Sequence, residues 1–143
     1  MPRRPVLRIR MLAAVVAGGV VGVAARELVL LPFPPGEPDS LALPAATLAV
    51  NVLGSFALGA VVGWLRDGRP LVRAFLGAGV LGGFTTYSSF AVQTAVLVGT
   101  SPLAGVLLAV GSVAAGLAAA TLGFSMTRPP RHSSGGADAE PTS

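Results

Sequence analysis

Four long apolar blocks run along this chain, at residues 11–31, 44–65, 71–98 and 102–126. Only eight charges fall between residues 11 and 127: Arg26, Glu27, Glu37, Asp39, Arg66, Asp67, Arg69 and Arg73. The hydrocarbon core of a bilayer, about 30 Å thick, is crossed by about 20 helical residues. Blocks of 21, 22, 28 and 25 residues therefore each predict a transmembrane helix. The first block also has the outline of a signal peptide, because a basic leader precedes 15 uncharged residues ending in Ala24 and Ala25. Three further spans follow it, which favours a retained first helix. Connections are short. Prolines 32, 34, 35 and 38 stop the first helix, and Pro44 opens the second at a first-turn position that tolerates it. Residues 66–70 and 99–101 make the other two turns. The predicted organisation is a basic N-terminus at 1–10, a four-helix membrane domain at 11–126, and a polar tail at 127–143 whose Pro, Ser and Gly content reads as disordered.

Charge gives this all-α, polytopic picture a direction. The 143 residues are 52% hydrophobic and 11% charged, whereas soluble domains carry about a quarter charged residues. All ten basic residues are arginines, and with six acids they leave a net charge of +4. Nine of the ten lie on one side, in the leader, the second connection and the tail, and the opposite side has none. The tenth, Arg26, is inside the first span. The positive-inside rule then predicts a multi-pass protein of the cell membrane with both termini cytoplasmic. A nucleic-acid-binding face is excluded, because the arginines sit on separate short connections around lipid-soluble helices. Without cysteine there are no disulfides, thiol catalysis or sulfur-ligated zinc. The single histidine, His132, lies in the polar tail. No nucleophile, base or cofactor motif is present, so the chain is not read as an enzyme.

Within the spans, polar side chains are concentrated in two places. In the second, Thr47, Asn51, Ser55, Gly59 and Gly63 follow one another at intervals of four and share a slowly drifting helical face. Helix packing alone accounts for the two glycines. Asn51 is a primary amide that is costly in hydrocarbon without partners, which points to a protein interior or a watery vestibule. The third block, at 28 residues, would extend about 42 Å as a straight helix, more than a crossing needs. Tilt would absorb some of that excess. Its middle also carries five consecutive hydroxyl residues, Thr85, Thr86, Tyr87, Ser88 and Ser89, which on an intact helix would occupy every face. A break near Gly82 and Gly83 is the better prediction. Non-helical backbone at membrane depth is tolerated where protein or a water-filled cavity covers it, and its freed carbonyls can hold a cation. Hydroxyl donors can solvate an anion stripped of water. Tyr87 and Phe90, three apart, can present the positive edges of their rings to it, or serve as packing aromatics.

Three segments together carry a family resemblance: Gly18-Gly19-Val20-Val21-Gly22-Val23-Ala24-Ala25-Arg26 in span one, Thr47-Leu48-Ala49-Val50-Asn51-Val52-Leu53-Gly54-Ser55-Phe56 in span two, and Gly82-Gly83-Phe84-Thr85-Thr86-Tyr87-Ser88-Ser89-Phe90 in span three. In this order they resemble the Fluc fluoride channels, also called CrcB, across about residues 11–126. The third segment is highly specific, and the first alone would be weak. The resemblance implies passive fluoride export by an antiparallel dimer of four-helix subunits, with two pores and a central structural sodium ion. It implies that the backbone carbonyls of Gly82 and Thr85 hold that sodium with their counterparts in the partner. Tyr87 and Phe90 match the paired aromatics of the fluoride path, Asn51 matches its pore-facing asparagine, and Ser88, Ser89 and Ser112 match its hydroxyl track. Arg26 matches the first-span arginine near the vestibule, although it is also close enough to the span's end to snorkel.

This chain departs from the family pattern at three of these positions. Tyr87 stands where phenylalanine is usual, Ser89 replaces threonine, and Glu27 follows Arg26 where an aromatic is common. A carboxylate there either neutralises the arginine or burdens anion entry. Fluoride is small and strongly hydrated, so its path must replace water with donors each weak enough to allow exit. Two other functions compete. A proton-coupled exporter resembling the small multidrug resistance transporters needs an acid in the first span, for which Glu27 is the one candidate. A non-transporting assembly subunit leaves the hydroxyl run unexplained. The arginine asymmetry has a further consequence: it should insert nearly every copy in one orientation, so an antiparallel dimer is expected to need a homologous subunit of opposite charge bias.

Overall fold

The structure, a computed structural model, describes residues 4–33, 42–65 and 68–128. Helix α1 (Arg4–Leu30) starts inside the basic leader, where Arg8 and Arg10 are good helix formers and nothing interrupts the turn. It stops just ahead of Pro32, since the residue before a proline is driven out of the helical region. Helix α2 (Ala42–Leu65) carries Pro44 in its first turn. The third block is composite: α3 (Pro70–Arg73), a π-helix over Ala74–Leu81, α4 (Gly82–Phe84), two extended residues, and α5 (Tyr87–Thr100). Ser101 alone, extended at φ −147° and ψ 91°, turns the chain into α6 (Pro102–Thr127). All four predicted crossings are long and apolar enough to span a membrane, over Val6–Leu30, Ala42–Leu65, Pro70–Thr100 and Pro102–Thr127.

The break in the third span is displaced from the predicted position. Gly82 is helical at φ −65° and ψ −34°. The extended backbone begins at Thr85 (φ −74°, ψ 151°) and continues through Thr86 (φ −132°, ψ 120°). Gly83, like Gly79 before it, is used instead for close approach to α1. A Cβ on Gly79 would lie 2.8 Å from the Gly18 Cα, and one on Gly83 would lie 2.6 Å from the Gly19 carbonyl oxygen. Gly22 faces the Val80 carbonyl in the same way. Thr127, assigned by composition to the tail, ends α6, with its hydroxyl 3.0 Å from the Ala60 carbonyl of α2. The rest of the predicted tail beyond Arg128, most of the first connection and the Arg66–Asp67 pair lie outside the described residues.

Two packed pairs make up the bundle. The first half of the third span lies along α1, while α2 lies along α6, and α5 crosses over to rest on α6 and touch α2. Glycine lines the second pair too: Gly59 faces the Ala120 carbonyl, Gly123 the Phe56 carbonyl, and Gly63 the Phe124 carbonyl. Packing therefore accounts for Gly59 and Gly63. With small residues at the contacts, the large apolar side chains point outward. Leu53, Trp64, Leu103, Leu107 and Leu117 are each more than 60% exposed, whereas Val50 and Leu65 are the buried large hydrophobics among the described residues. That inversion of a soluble core suits a chain whose outer face meets lipid.

Candidate functional site at the break in the third span

Two successive extended residues in a membrane span leave backbone groups without helical partners, and each must be satisfied internally. At Thr86, which is 5% exposed, the partner is the side chain of Asn51. The Thr86 N–H donates to Asn51 Oδ1 at 2.8 Å, and Asn51 Nδ2 donates to the Thr86 carbonyl at 3.0 Å. The carboxamide thus acts as a strand would in a ladder, answering both backbone groups of one residue. This explains the cost predicted for Asn51: its amide is in a protein interior and paired with the break.

The Thr86 side chain then starts the next helix. As N-cap of α5, its Oγ1 accepts from the Ser89 N–H at 3.3 Å, which satisfies a donor that a helix start leaves open. The same oxygen donates its single proton to Ser89 Oγ at 3.2 Å and lies 3.3 Å from Ser88 Oγ, so Ser88 is the donor in that second contact. Ser89 accepts from Thr86 and keeps its own proton unassigned. On the other side of the break, the Thr85 N–H and Oγ1–H both donate to the Leu81 carbonyl at 3.0 Å.

The carbonyl groups around the break are therefore unequally committed. Leu81 accepts from Thr85, Gly83 accepts from Arg26 Nη1 at 3.3 Å, and Thr86 accepts from Asn51. None of these bonds takes the carbonyls of Gly82 or Thr85. A hard cation favours such oxygens at the C-terminal end of an interrupted helix, where the peptide dipoles are also negative. Among the described residues there is no cluster of acidic or histidine side chains suited to a metal.

Tyr87 and Phe90 share the first turn of α5, their ring centroids 6.4 Å apart and their planes tilted by 53°. Tyr87 is 81% exposed on this single chain. Ser88 lies beside it on the exposed side, and Ser89 is half-buried. Ser112 stands apart on α6, its hydroxyl covered and without a hydrogen-bond partner. Arg26 does not project freely: its side chain is 19% exposed, with Nε and Nη2 on Glu27 Oε1 at 3.2 and 2.9 Å and Nη1 turned to Gly83.

Sequence reasoning missed three residues here. Thr86 was visible only as one member of a hydroxyl run, and its role depends on being the extended one. Gln93 on α5 donates to Thr47 on α2 at 3.0 Å, a second amide in hydrocarbon to which the argument applied to Asn51 extends. Thr94 on α5, like Ser112, has a covered hydroxyl without a partner.

Comparison with known proteins places the chain in a family. Residues 13–124 match the family described as CrcB-like protein, Camphor Resistance (CrcB). A protein of Rhodospirillum centenum named fluoride-specific ion channel FluC is 43% identical over 120 residues, covering 76% of this chain and 94% of that one. A FluC of Methylobacterium sp. strain 4-46 is 46% identical over 89 residues, 59% of this chain and 72% of its own. A Leifsonia xyli protein named fluoride-specific ion channel FluC 2 is 37% identical over 128 residues, 82% and 83% of the two chains. With the matched region spanning all four membrane helices and the Asn51-bridged break at its centre, the chain belongs to the CrcB family.

Proposed function

We propose that this chain is a subunit of a fluoride-specific ion channel that lowers cytoplasmic fluoride by passive export. The observation that carries the reading is the Asn51-bridged break, which presents a capped helix start, a serine with an uncommitted proton and a pair of tilted aromatic rings at membrane depth. Fluoride needs small donors close together, and Ser89, Ser88 and the ring edges of Tyr87 and Phe90 supply them without a full positive charge that would trap the ion. Asn51 has a second Nδ2 proton beyond the one given to Thr86, so it can hold the break and still offer a donor to the path. Ser112, with its unpartnered hydroxyl, extends the path onto α6.

The subunit acts within an antiparallel dimer. High exposure of Tyr87 on the single chain supports a partner that covers it. The carbonyls of Gly82 and Thr85, uncommitted here, suit a structural sodium shared with the partner's counterparts. When bound, the ion supplies fixed positive potential at the dimer centre. The nine-to-none arginine distribution supports cytoplasmic termini for this chain and a homologous partner of opposite bias. A proton-coupled exporter is less well supported, because Glu27 is already bonded to Arg26. Fluoride efflux from liposomes containing the purified chain, alone and with a homologous subunit of opposite charge bias, tests the reading. Efflux that proceeds once a potassium ionophore carries the compensating charge, and that ignores an imposed proton gradient, is expected. Release of organic cations driven by that gradient would overturn it.

A further inference from the structure

We infer that Glu27 is a positioning residue: it holds the Arg26 guanidinium across to the Gly83 carbonyl, so that α1 caps the half-helix ending at the break. The inference rests on the channel reading for its flux measurements, but its geometry stands alone. Adjacent residues on a helix do not ordinarily face each other. Here Glu27 reaches back so that one carboxylate oxygen receives both Nε and Nη2 of Arg26, at 3.2 and 2.9 Å. That side-on pair uses one edge of the planar guanidinium and fixes its plane, which leaves Nη1 aimed at Gly83, 3.3 Å away.

Gly83 needs such a partner. In a continuous helix its carbonyl would accept from the N–H four residues on, at Tyr87. The extended Thr85 and Thr86 remove that donor. An arginine from a neighbouring helix is a favourable replacement, since it brings positive charge to the negative end of the aligned peptide dipoles. Gly83 lies against the α1 backbone at Gly19 and Val23, which brings the carbonyl within reach of Arg26. By taking Gly83 and no other, Arg26 leaves the flanking carbonyls of Gly82 and Thr85 open, and Glu27 offsets a guanidinium charge that would otherwise oppose a cation beside it. The carboxylate that departs from the family pattern is thus part of the support for the break and not a repulsive charge in the anion's path.

The test uses the full chain in liposomes, with its dimer partner where one is required, comparing wild type, Glu27→Gln and Arg26→Lys. Glu27 is 64% exposed, so its neutral variant should fold; Arg26→Lys keeps the charge and loses the planar fork. Both are expected to lower fluoride efflux about tenfold at low and saturating fluoride alike, the effect of losing one hydrogen bond to a charged group. Both should also speed amide hydrogen exchange across residues 83–87. Wild-type efflux and exchange in Arg26→Lys would overturn the inference, leaving Arg26 a charge at the mouth. Faster efflux at low fluoride in Glu27→Gln, with exchange unchanged, would overturn it too, making Glu27 a barrier to anions. If the wild type conducts no fluoride yet exchange still rises in both variants, the positioning role stands and the channel reading falls.

Discussion

The first half of the third span meets α1 mainly backbone to backbone, and the second half meets α2 through polar side chains. In the stretch from α3 to α4, Gly79 and Gly83 remove side chains so that α1 lies within van der Waals reach of the main chain. After the break, Thr86 and Gln93 hold α5 to α2 through hydrogen bonds to or from Asn51 and Thr47. Both halves come from one uninterrupted apolar block, so hydrophobicity cannot account for the difference. Lipid is as apolar as the side chains it touches, and helix association in it depends on close fit and on hydrogen bonds. The first half relies mostly on close fit, with the Arg26–Gly83 bond at its end, and the second half reaches α2 by hydrogen bonds while Gly105 of α6 lets Val98 of α5 approach closely.

Four substitutions, three of them paired with a second variant for comparison, break or sharpen this contrast. The largest effect is expected in the steric half. Gly22→Val would force a side chain into the Val80 carbonyl, a backbone atom that cannot move aside, and should destabilise the chain by about 3 kcal/mol or more. It would be read as loss of monodisperse protein and of thermal stability in detergent, while Gly99→Ala, in open space, should stay within about 0.5 kcal/mol of wild type. A tolerated Gly22→Val would show that the first half is not held by backbone contact.

In the polar half, Asn51→Leu keeps the volume and strands the buried N–H of Thr86, at about 1–3 kcal/mol, while the Thr86 C=O keeps the first bond of α5. Fluoride efflux should be abolished, and Asn51→Asp, which keeps the acceptor and loses the donor, should fall between it and wild type. Thr86→Val removes the cap on α5 at about 1 kcal/mol, whereas Thr86→Ser restores it, so a stability scan of the pair separates the hydroxyl from the methyl. The smallest effect belongs to Tyr87→Phe. Among the described residues the Tyr87 hydroxyl has no hydrogen-bond partner, so stability should change by less than about 0.5 kcal/mol. Efflux that falls sharply in this variant would mean that the hydroxyl is used across the dimer.

Much of the fold was legible because hydropathy is a local sum. Residues 44–65 read as a span whatever lies beside them, and α2 runs over Ala42–Leu65. The run of five hydroxyl residues announced a break, since no single helix can turn all of them away from lipid. The break expected near Gly82 and Gly83 begins two residues further on, at Thr85 and Thr86. Gly83 lacks a side chain so that α1 can lie against it, and that use depends on where α1 lies. Glu27 was likewise ambiguous, because a carboxylate beside an arginine has the same sequence whether it faces an ion path or holds the guanidinium to a third group.

The sequence by itself determined how many times the chain crosses the membrane, in what order, with what charge asymmetry, and that its third crossing is interrupted. Only the tertiary structure decided which group answers which. Asn51 meets Thr86 across 35 residues and Arg26 meets Gly83 across 57, and neither spacing corresponds to a helical period. The physical reason is one of range. Transfer into hydrocarbon depends on each segment's own composition, but a hydrogen bond depends on angles and on distances of about 3 Å, which exist only once separate helices have been brought side by side.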